Sequence, residues 1–277
     1  MLLGIDIGGT KIKLSLISKK SNIIKSVKVD TKFNHSKEEF FTNLVNLINL
    51  FDLKKISSIG LGIPSAVENG YSWYSPNVTA LNEINFKKEL ESRVKKKVYV
   101  TNDANCFAYG ELVQNPELKK KSFVALTLGT GLGSGIVING RLLNGLMGCG
   151  GEVGFIYDKG MKIKNYCSSR FFKAKGVSPK EAELKARNGI KKYIKMYEEF
   201  GREVGYVLSI YANTLAPDVL IIGGGISRSK DLFEKEMIKS FKKEAHQILA
   251  NKTTIEFSKN KHSSVIGAAN LYRLKYI

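Results

Sequence analysis

A strand–turn–strand unit built on glycine and threonine occurs twice in this chain and limits what it can fold into. Near the start, Leu2-Leu3-Gly4-Ile5-Asp6-Ile7 runs into Gly8-Gly9-Thr10-Lys11 and then Ile12-Lys13-Leu14-Ser15-Leu16-Ile17. Further on, Phe123-Val124-Ala125-Leu126-Thr127-Leu128 runs into Gly129-Thr130-Gly131-Leu132-Gly133 and then Ser134-Gly135-Ile136-Val137-Ile138. Two apolar runs joined by so few residues must fold back as a hairpin, with glycine supplying positive φ in the turn. Backbone N–H groups and a hydroxyl at such a tip suit close approach to phosphate. Two such tips predict a duplicated scaffold that grips one polyphosphate from both sides.

Other glycine loops fit less well. A P-loop needs Gly-Lys-Ser/Thr followed by a helix, and neither turn has it. The second turn has Gly129, Gly131, Gly133 and Gly135, not the Rossmann spacing, and it leads into a strand. Two ordinary hairpins would also use glycine. The repetition, with Asp6 just before the first turn, favours the phosphate reading.

At 277 residues the chain suits two domains, each able to bury a core. A hydrophobic share of 43%, with alternating strand and helix patterns, indicates a soluble α/β protein. No apolar run reaches the roughly 18 residues of a membrane span. The first strand begins at once, which leaves no room for a signal peptide. Three scattered cysteines, Cys106, Cys149 and Cys167, fit a reducing cytoplasm, so the expected location is cytoplasmic with no membrane partner. Of the 44 basic residues behind the net charge of +19, 37 are lysine. They fall in clusters such as Lys95-Lys96-Lys97 and Lys119-Lys120-Lys121, without interleaved aromatics. A solvated surface accounts for them, with attraction of nucleotides or polyphosphate as the second reading. No dedicated nucleic-acid function is expected, because no helix-turn-helix segment precedes the first strand.

After the first hairpin, residues 23–29 read as a third strand. Ser36-Lys37-Glu38-Glu39 is a capping box opening a helix with Phe40, Leu44, Leu47, Ile48 and Phe51 on one side. Residues 56–63 read as a buried strand ending at Pro64. A helix (86–94), a strand (98–100) and a helix (104–114) follow, and Asn115-Pro116-Glu117 marks the boundary. The second half opens on the repeated hairpin and then has a poorly periodic stretch, 142–176. Helices over 179–187 and 189–215, a strand at 219–222, a helix over about 230–250 and a strand at 253–257 come next. A closing helix, 263–274, is expected to cross back. The expected domains are 1–116 plus 262–277, and 117–261.

Asp6 ends a buried strand beside the first turn, where a carboxylate can anchor Mg²⁺ through water. Thr10 and Lys11 would reach the terminal phosphate; a turn-capping Asp without ligand is the alternative. Asn102-Asp103-Ala104-Asn105 sits where a strand ends and a helix begins. Ligands bind at such strand ends, and an Asp there can accept a proton from a substrate hydroxyl, or simply cap the helix. Gly223-Gly224-Gly225 follows a buried strand and lets a flat base lie on bare backbone, or forms a tight strand–helix turn.

Together these pieces resemble the ROK family of sugar kinases, on the duplicated actin-like ATPase (ribonuclease H-like) α/β fold, with two domains and a cleft between them. The resemblance covers nearly the whole chain. It rests on Asp6-Ile7-Gly8-Gly9-Thr10-Lys11, Gly62-Ile63-Pro64, Asn102-Asp103-Ala104-Asn105, Leu128-Gly129-Thr130-Gly131-Leu132-Gly133, Gly150-Gly151-Glu152-Val153-Gly154 and Ile222-Gly223-Gly224-Gly225-Ile226. It implies that Asp103 is the general base. Asn102 and Glu152 would bond other sugar hydroxyls, with Pro64, Ser65 and Gly151 as further substrate contacts. Gly8, Gly9, Thr10 and Lys11 with Thr130 and Gly131 would hold the phosphates of ATP, and Gly223, Gly224 and Gly225 the adenosine. The implied activity is ATP- and Mg²⁺-dependent phosphorylation of a hexose, glucose first, by a homodimer.

Many family members follow Gly-Glu-x-Gly with a His that binds a structural zinc with three cysteines. Here that position is Phe155, and only Cys167 lies in the following loop, so no zinc site of that kind is expected. Ser169 aligns where those members carry a second sugar-binding Glu. Glu152-Val153-Gly154-Phe155 resembles a zinc-less subgroup with glucokinase-like and β-glucoside kinase-like members. N-acetylmannosamine, fructose, mannose or a β-glucoside are the rival acceptors, and polyphosphate is a rival donor. A ROK-type repressor and an actin-like ATPase without sugar chemistry stand as other classes.

Overall fold

The computed structural model describes residues 1–30, 36–76 and 78–274. In chain order, β1 (Leu2–Ile7), β2 (Lys11–Ile17) and β3 (Ile23–Asp30) precede α1 (Lys37–Ile48). β4 (Ser58–Ile63), β5 (Ala66–Glu68), β6 (Tyr71–Tyr74) and β7 (Ile84–Asn85) lead to α2 (Phe86–Val94), β8 (Lys97–Asn102) and α3 (Asp103–Gln114). Next come β9 (Phe123–Leu128), β10 (Leu132–Ile138), β11 (Arg141–Leu143), the small hairpin β12 (Tyr157–Asp158) and β13 (Met161–Lys162), α4 (Ser169–Ala174), α5 (Pro179–Arg187) and α6 (Lys191–Leu215). β14 (Val219–Gly223), α7 (Glu234–Glu244), α8 (Gln247–Lys252), β15 (Thr254–Phe257) and α9 (Ser263–Asn270) follow.

Two five-stranded sheets repeat one plan, β3-β2-β1-β4-β8 and β11-β10-β9-β14-β15. In each, an antiparallel run at one edge gives way to parallel strands. The doubling read from the glycine turns is therefore a doubling of the sheet. The chain divides into two compact units, Met1–Lys119 with Gly135–Gly150 and Asn260–Ile277, and Lys120–Ser134 with Gly151–Lys259.

In the first unit, the apolar runs of β1 and β4 fill the sheet centre. Leu3, Ile5, Ile7, Ile59, Leu61 and Ile63 pack with Phe40, Phe41, Leu44 and Ile48 of α1 and with Phe86 and Leu90 of α2. The Ser36 hydroxyl accepts from Glu39 N at 3.2 Å and starts α1 as the capping pattern requires. β3 lies at the edge and carries exposed Lys25 and Lys28, which discourage pairing with another chain. α9 packs against β1, β4 and α3. Glycine makes that approach feasible: a Cβ at Gly60 would lie 1.8 Å from Ala268 O, and one at Gly110 1.9 Å from Ser263 O. The three-stranded sheet β5-β6-β7 has no counterpart in the sequence reading, because strands of two to four residues are too short to show alternation.

In the second unit, β14 pairs in parallel with β9 and β15, and α6 packs along α7 and α5. Phe172 lies 5.0 Å from Tyr197 and 5.1 Å from Phe200, ring centre to ring centre, and Phe200 5.6 Å from Phe233. Two expectations need correction here. The helix over 230–250 is broken into a 3-10 stretch (Ile226–Leu232), α7 and α8. Ala245 takes extended backbone, and Asn213 Oδ1 of α6 accepts the His246 N–H at 2.8 Å in place of a helical partner. The poorly periodic 142–176 stretch contains β11, β12, β13 and α4 rather than irregular chain alone.

Candidate active site

β1, β4 and β8 are parallel neighbours, and their register sets Asp6 beside Gly62, Gly62 beside Thr101 and Ile63 beside Asn102. The C-terminal ends of all three strands thus meet at one edge of the first unit, where α/β sheets bind ligands. Two half-buried carboxylates stand there. Burial, with Asp103 as the second cause, pushes the Asp6 carboxyl up to about 7, against the pull of Lys13 and Lys28. Burial pushes Asp103 up to about 6, against backbone N–H groups that favour its charge. The charges of Asp6 and Asp103 oppose each other, so a cation or a proton is welcome between them.

Capping of α3 falls to Asn102. Its Oδ1 accepts from Ala104 N at 2.8 Å and Asn105 N at 3.4 Å, while its Nδ2 donates to Ser65 O at 3.3 Å. Asp103 is the first helical residue, and its Oδ1 takes the adjacent Ala104 N–H, at 2.9 Å. Ser65 Oγ is held within its own unit by Ser72 Oγ at 2.6 Å and Tyr74 O at 2.9 Å, and Pro64 O accepts from Ser75 Oγ at 2.7 Å. Gly62 explains the Gly-x-Pro pattern: a Cβ there would lie 2.9 Å from Cys106 Sγ and 3.2 Å from Asp103 Cα. Only glycine lets β4 run this close to the start of α3.

The first turn closes with Gly8 N donating to Lys11 O at 2.9 Å. Gly9 and Thr10 are exposed, and the Lys11 ammonium pairs with the Asp30 carboxylate across β2 and β3.

In the second unit, Gly129 N donates to Gly131 O at 3.0 Å, with Thr130 exposed at the tip. The expectation that glycine serves positive φ here is corrected. Gly8, Gly129 and Gly131 do not adopt it, and a Cβ at Gly129 or Gly131 would meet nothing within 4 Å. Neither packing nor φ demands glycine at 129 and 131; its effect is to leave the backbone bare. Ser169 supports this turn, donating N–H to Gly129 O at 2.8 Å and Oγ–H to Thr130 O at 3.4 Å.

Gly223 stands beside Thr127 in the sheet register, so the glycine run leaves the sheet next to that turn. Its members differ. Gly224 has φ +91°, and a Cβ there would lie 2.4 Å from Leu128 O, whereas a Cβ at Gly225 would meet nothing. Gly224 is required by the fold; Gly225 leaves open backbone.

Gly151 has φ +98°, and its carbonyl accepts two hydroxyls, Ser134 Oγ at 2.5 Å and Tyr211 Oη at 2.8 Å. That bond pair fixes the residue before exposed Glu152, whose charge is felt by Lys164 and Tyr211. The sequence reading missed Ser134 and Tyr211. Tyr211 falls on the apolar stripe of α6 with Val204 and Leu208, where it looks like another core aromatic. Phe155 is exposed, with Lys164 Nζ 3.6 Å from its ring centre. Among the described residues, no group of three or more His, Cys, Asp or Glu side chains could hold a metal ion.

The model of the ROK family matches residues 2–275. The chain belongs to the ROK family. A glucokinase of Thermotoga maritima is 30% identical over 266 residues, covering 83% of this chain and 84% of that protein. An N-acetyl-D-glucosamine kinase of Mannheimia succiniciproducens is also 30% identical over 266 residues, covering 84% and 87%. The crystal structure of a ROK family glucokinase from Streptomyces griseus, in complex with glucose and AMPPNP, superposes with a TM-score of 0.85 at 24% identity, covering 98% of each chain. That likeness establishes the fold of this ROK protein as the two-domain actin-like ATPase fold.

Proposed function

We propose that this ROK protein is an ATP- and Mg²⁺-dependent hexose kinase with glucose as its leading acceptor. The observation that carries the reading is the pair of half-buried carboxylates, Asp6 and Asp103, at the C-terminal ends of adjacent strands. Kinship with sugar kinases supplies the reaction class. Asp103, not needed as the helix cap, accepts the proton of the attacking sugar hydroxyl. A carboxyl pushed up to about 6 is ionised near neutrality yet basic enough to take a proton. Asn102 and Glu152 bond other hydroxyls, with Pro64, Ser65 and Gly151 shaping the acceptor site. The bare backbone of Gly8, Gly9, Thr130 and Gly131, with Thr10 and Lys11, holds phosphate, and Gly225 with Gly223 and Gly224 lines the adenosine.

Asp6 fits a divalent cation, because burial and Asp103 both oppose its charge and a cation relieves both. Asp6 would hold Mg²⁺ through water, and the ion would supply charge neutralisation at the transferring phosphoryl group. Everything else in phosphoryl transfer is positioning, which falls to the residues named above. The same reading makes the protein a cytoplasmic homodimer without zinc, testable by sedimentation and by elemental analysis of the pure protein.

N-acetyl-D-glucosamine is the second acceptor to weigh, because a kinase named for it is as similar as the glucokinase. The test is a coupled ADP-release assay over glucose, N-acetylglucosamine, N-acetylmannosamine, mannose, fructose and a β-glucoside, with ATP and then polyphosphate as donor. Glucose with ATP is expected to give the highest kcat/KM. ADP release that no sugar stimulates would refute the kinase reading.

A further inference from the structure

Asn105 is completely buried in the first turns of α3, two residues past Asp103. Its Nδ2 donates to Gly148 O at 3.0 Å and lies 3.5 Å from Asn144 Oδ1. Gly148 O can only accept, so this contact fixes which end of the amide faces the loop. The other end, Oδ1, is buried without a hydrogen-bond partner among the described residues. A buried amide with an unmet oxygen costs stability, and an apolar residue would avoid that cost. What the amide supplies in return is the Nδ2 donor to the buried Gly148 carbonyl, the tie to the loop.

The segment it holds is strained. Gly145 sits at φ 69°, ψ −177°, Met147 at φ 51°, ψ 31°, and Gly148 at φ +71°. Left-handed backbone at a residue with a side chain persists only where its surroundings hold it. The side chain at the tip gives no apolar anchor, since Leu146 is 78% exposed. The ties are polar: Gly150 N to Asn144 O at 3.0 Å, and Asn105 to Gly148. A Cβ on Gly148 would lie 3.0 Å from Val67 O, so the loop has little room to shift. Past Gly150 the chain runs directly into Gly151 and Glu152.

We propose that Asn105 is a positioning residue for the sugar acceptor, pinning the strained 144–150 loop to the helix that carries Asp103. The inference rests on the sugar-kinase reading above and goes beyond it by assigning acceptor affinity to a residue that does not touch the sugar. Loss of the Nδ2 bond frees the loop that leads into Glu152, so the sugar binds less well while nucleotide binding is untouched.

The test compares Asn105→Ala and Gly148→Ala with the wild-type protein, using amide hydrogen exchange over 144–150 and separate KM values for glucose and ATP. Faster exchange in the loop, a glucose KM raised about tenfold or more, and an ATP KM within about threefold are expected in both variants. Gly148→Ala keeps the accepting carbonyl but strains the loop at its φ of +71° and crowds Val67 O, so it loosens the tie from the loop side and the test stands even where Asn105→Ala folds poorly. A glucose KM that moves no more than the ATP KM, or a loss confined to melting temperature, overturns the assignment. A wild-type protein that neither binds nor phosphorylates any sugar brings down the kinase reading and this inference together. A wild-type kinase with unaltered variants brings down this inference alone.

Discussion

Ser169 donates its backbone N–H to the carbonyl of Gly129 at 2.8 Å, so the start of α4 supports a turn whose glycines are needed by neither packing nor φ. Open backbone supported from beneath is an arrangement suited to a ligand. It also separates stability from function experimentally. Gly131→Ala adds a methyl into open space and is expected to leave the melting temperature nearly unchanged while raising the ATP KM about tenfold. Gly224→Ala should do the opposite. Its φ of +91° and the 2.4 Å approach to Leu128 O predict a loss of about 1–3 kcal/mol in stability. Denaturant melts and ATP titrations of the two variants check both halves.

Tyr211 and Ser134 share the carbonyl of Gly151. Tyr211→Phe removes one donor and leaves the other, so the expected loss is about 1 kcal/mol, or roughly fivefold. It should appear as a raised KM for sugar rather than for ATP. Equal effects on both substrates would assign Tyr211 to general packing.

The raised carboxyls of Asp6 and Asp103 predict an inverted pH dependence of stability in the absence of metal and nucleotide. The folded state keeps these protons to about pH 7 for Asp6 and about pH 6 for Asp103, whereas the unfolded chain releases them near pH 4. Between about pH 4 and 7 the folded state binds more protons, and the contribution of this pair to stability falls as pH rises. At about 1.4 kcal/mol per pKa unit, rises of about 3 for Asp6 and about 2 for Asp103 set an upper limit of about 7 kcal/mol, which the partial exposure of both groups reduces. Asp6→Asn is expected to flatten the slope, as followed by urea melts at pH 5 and pH 7. A slope unchanged by Asp6→Asn would contradict the placement of that carboxylate.

Long, strongly periodic segments were legible in the sequence. The helix read at 86–94 is α2 to the residue, because Phe86, Leu90 and Val94 mark one helical face. The buried runs of β1, β4 and β9 were legible because strands covered on both faces are continuously apolar. Features that depend on distant partners were not. The break before α8 depends on Asn213 reaching from α6 to His246, which no local pattern records. Gly129 and Gly131 looked like φ requirements and proved to be matters of open space. The site motifs stood out as residue types, but their division of labour did not: capping by Asn102 sets Asp103 apart only when both side chains are seen.

The account depends most on Asp103 as the group that takes the proton from the sugar. Turnover of Asp103→Asn with glucose and saturating ATP, alongside ATP affinity by calorimetry, tests this most directly. The account predicts a kcat lowered about 10²- to 10⁴-fold, as for loss of a general base, with ATP affinity within about threefold of wild type. Full turnover in Asp103→Asn would contradict it.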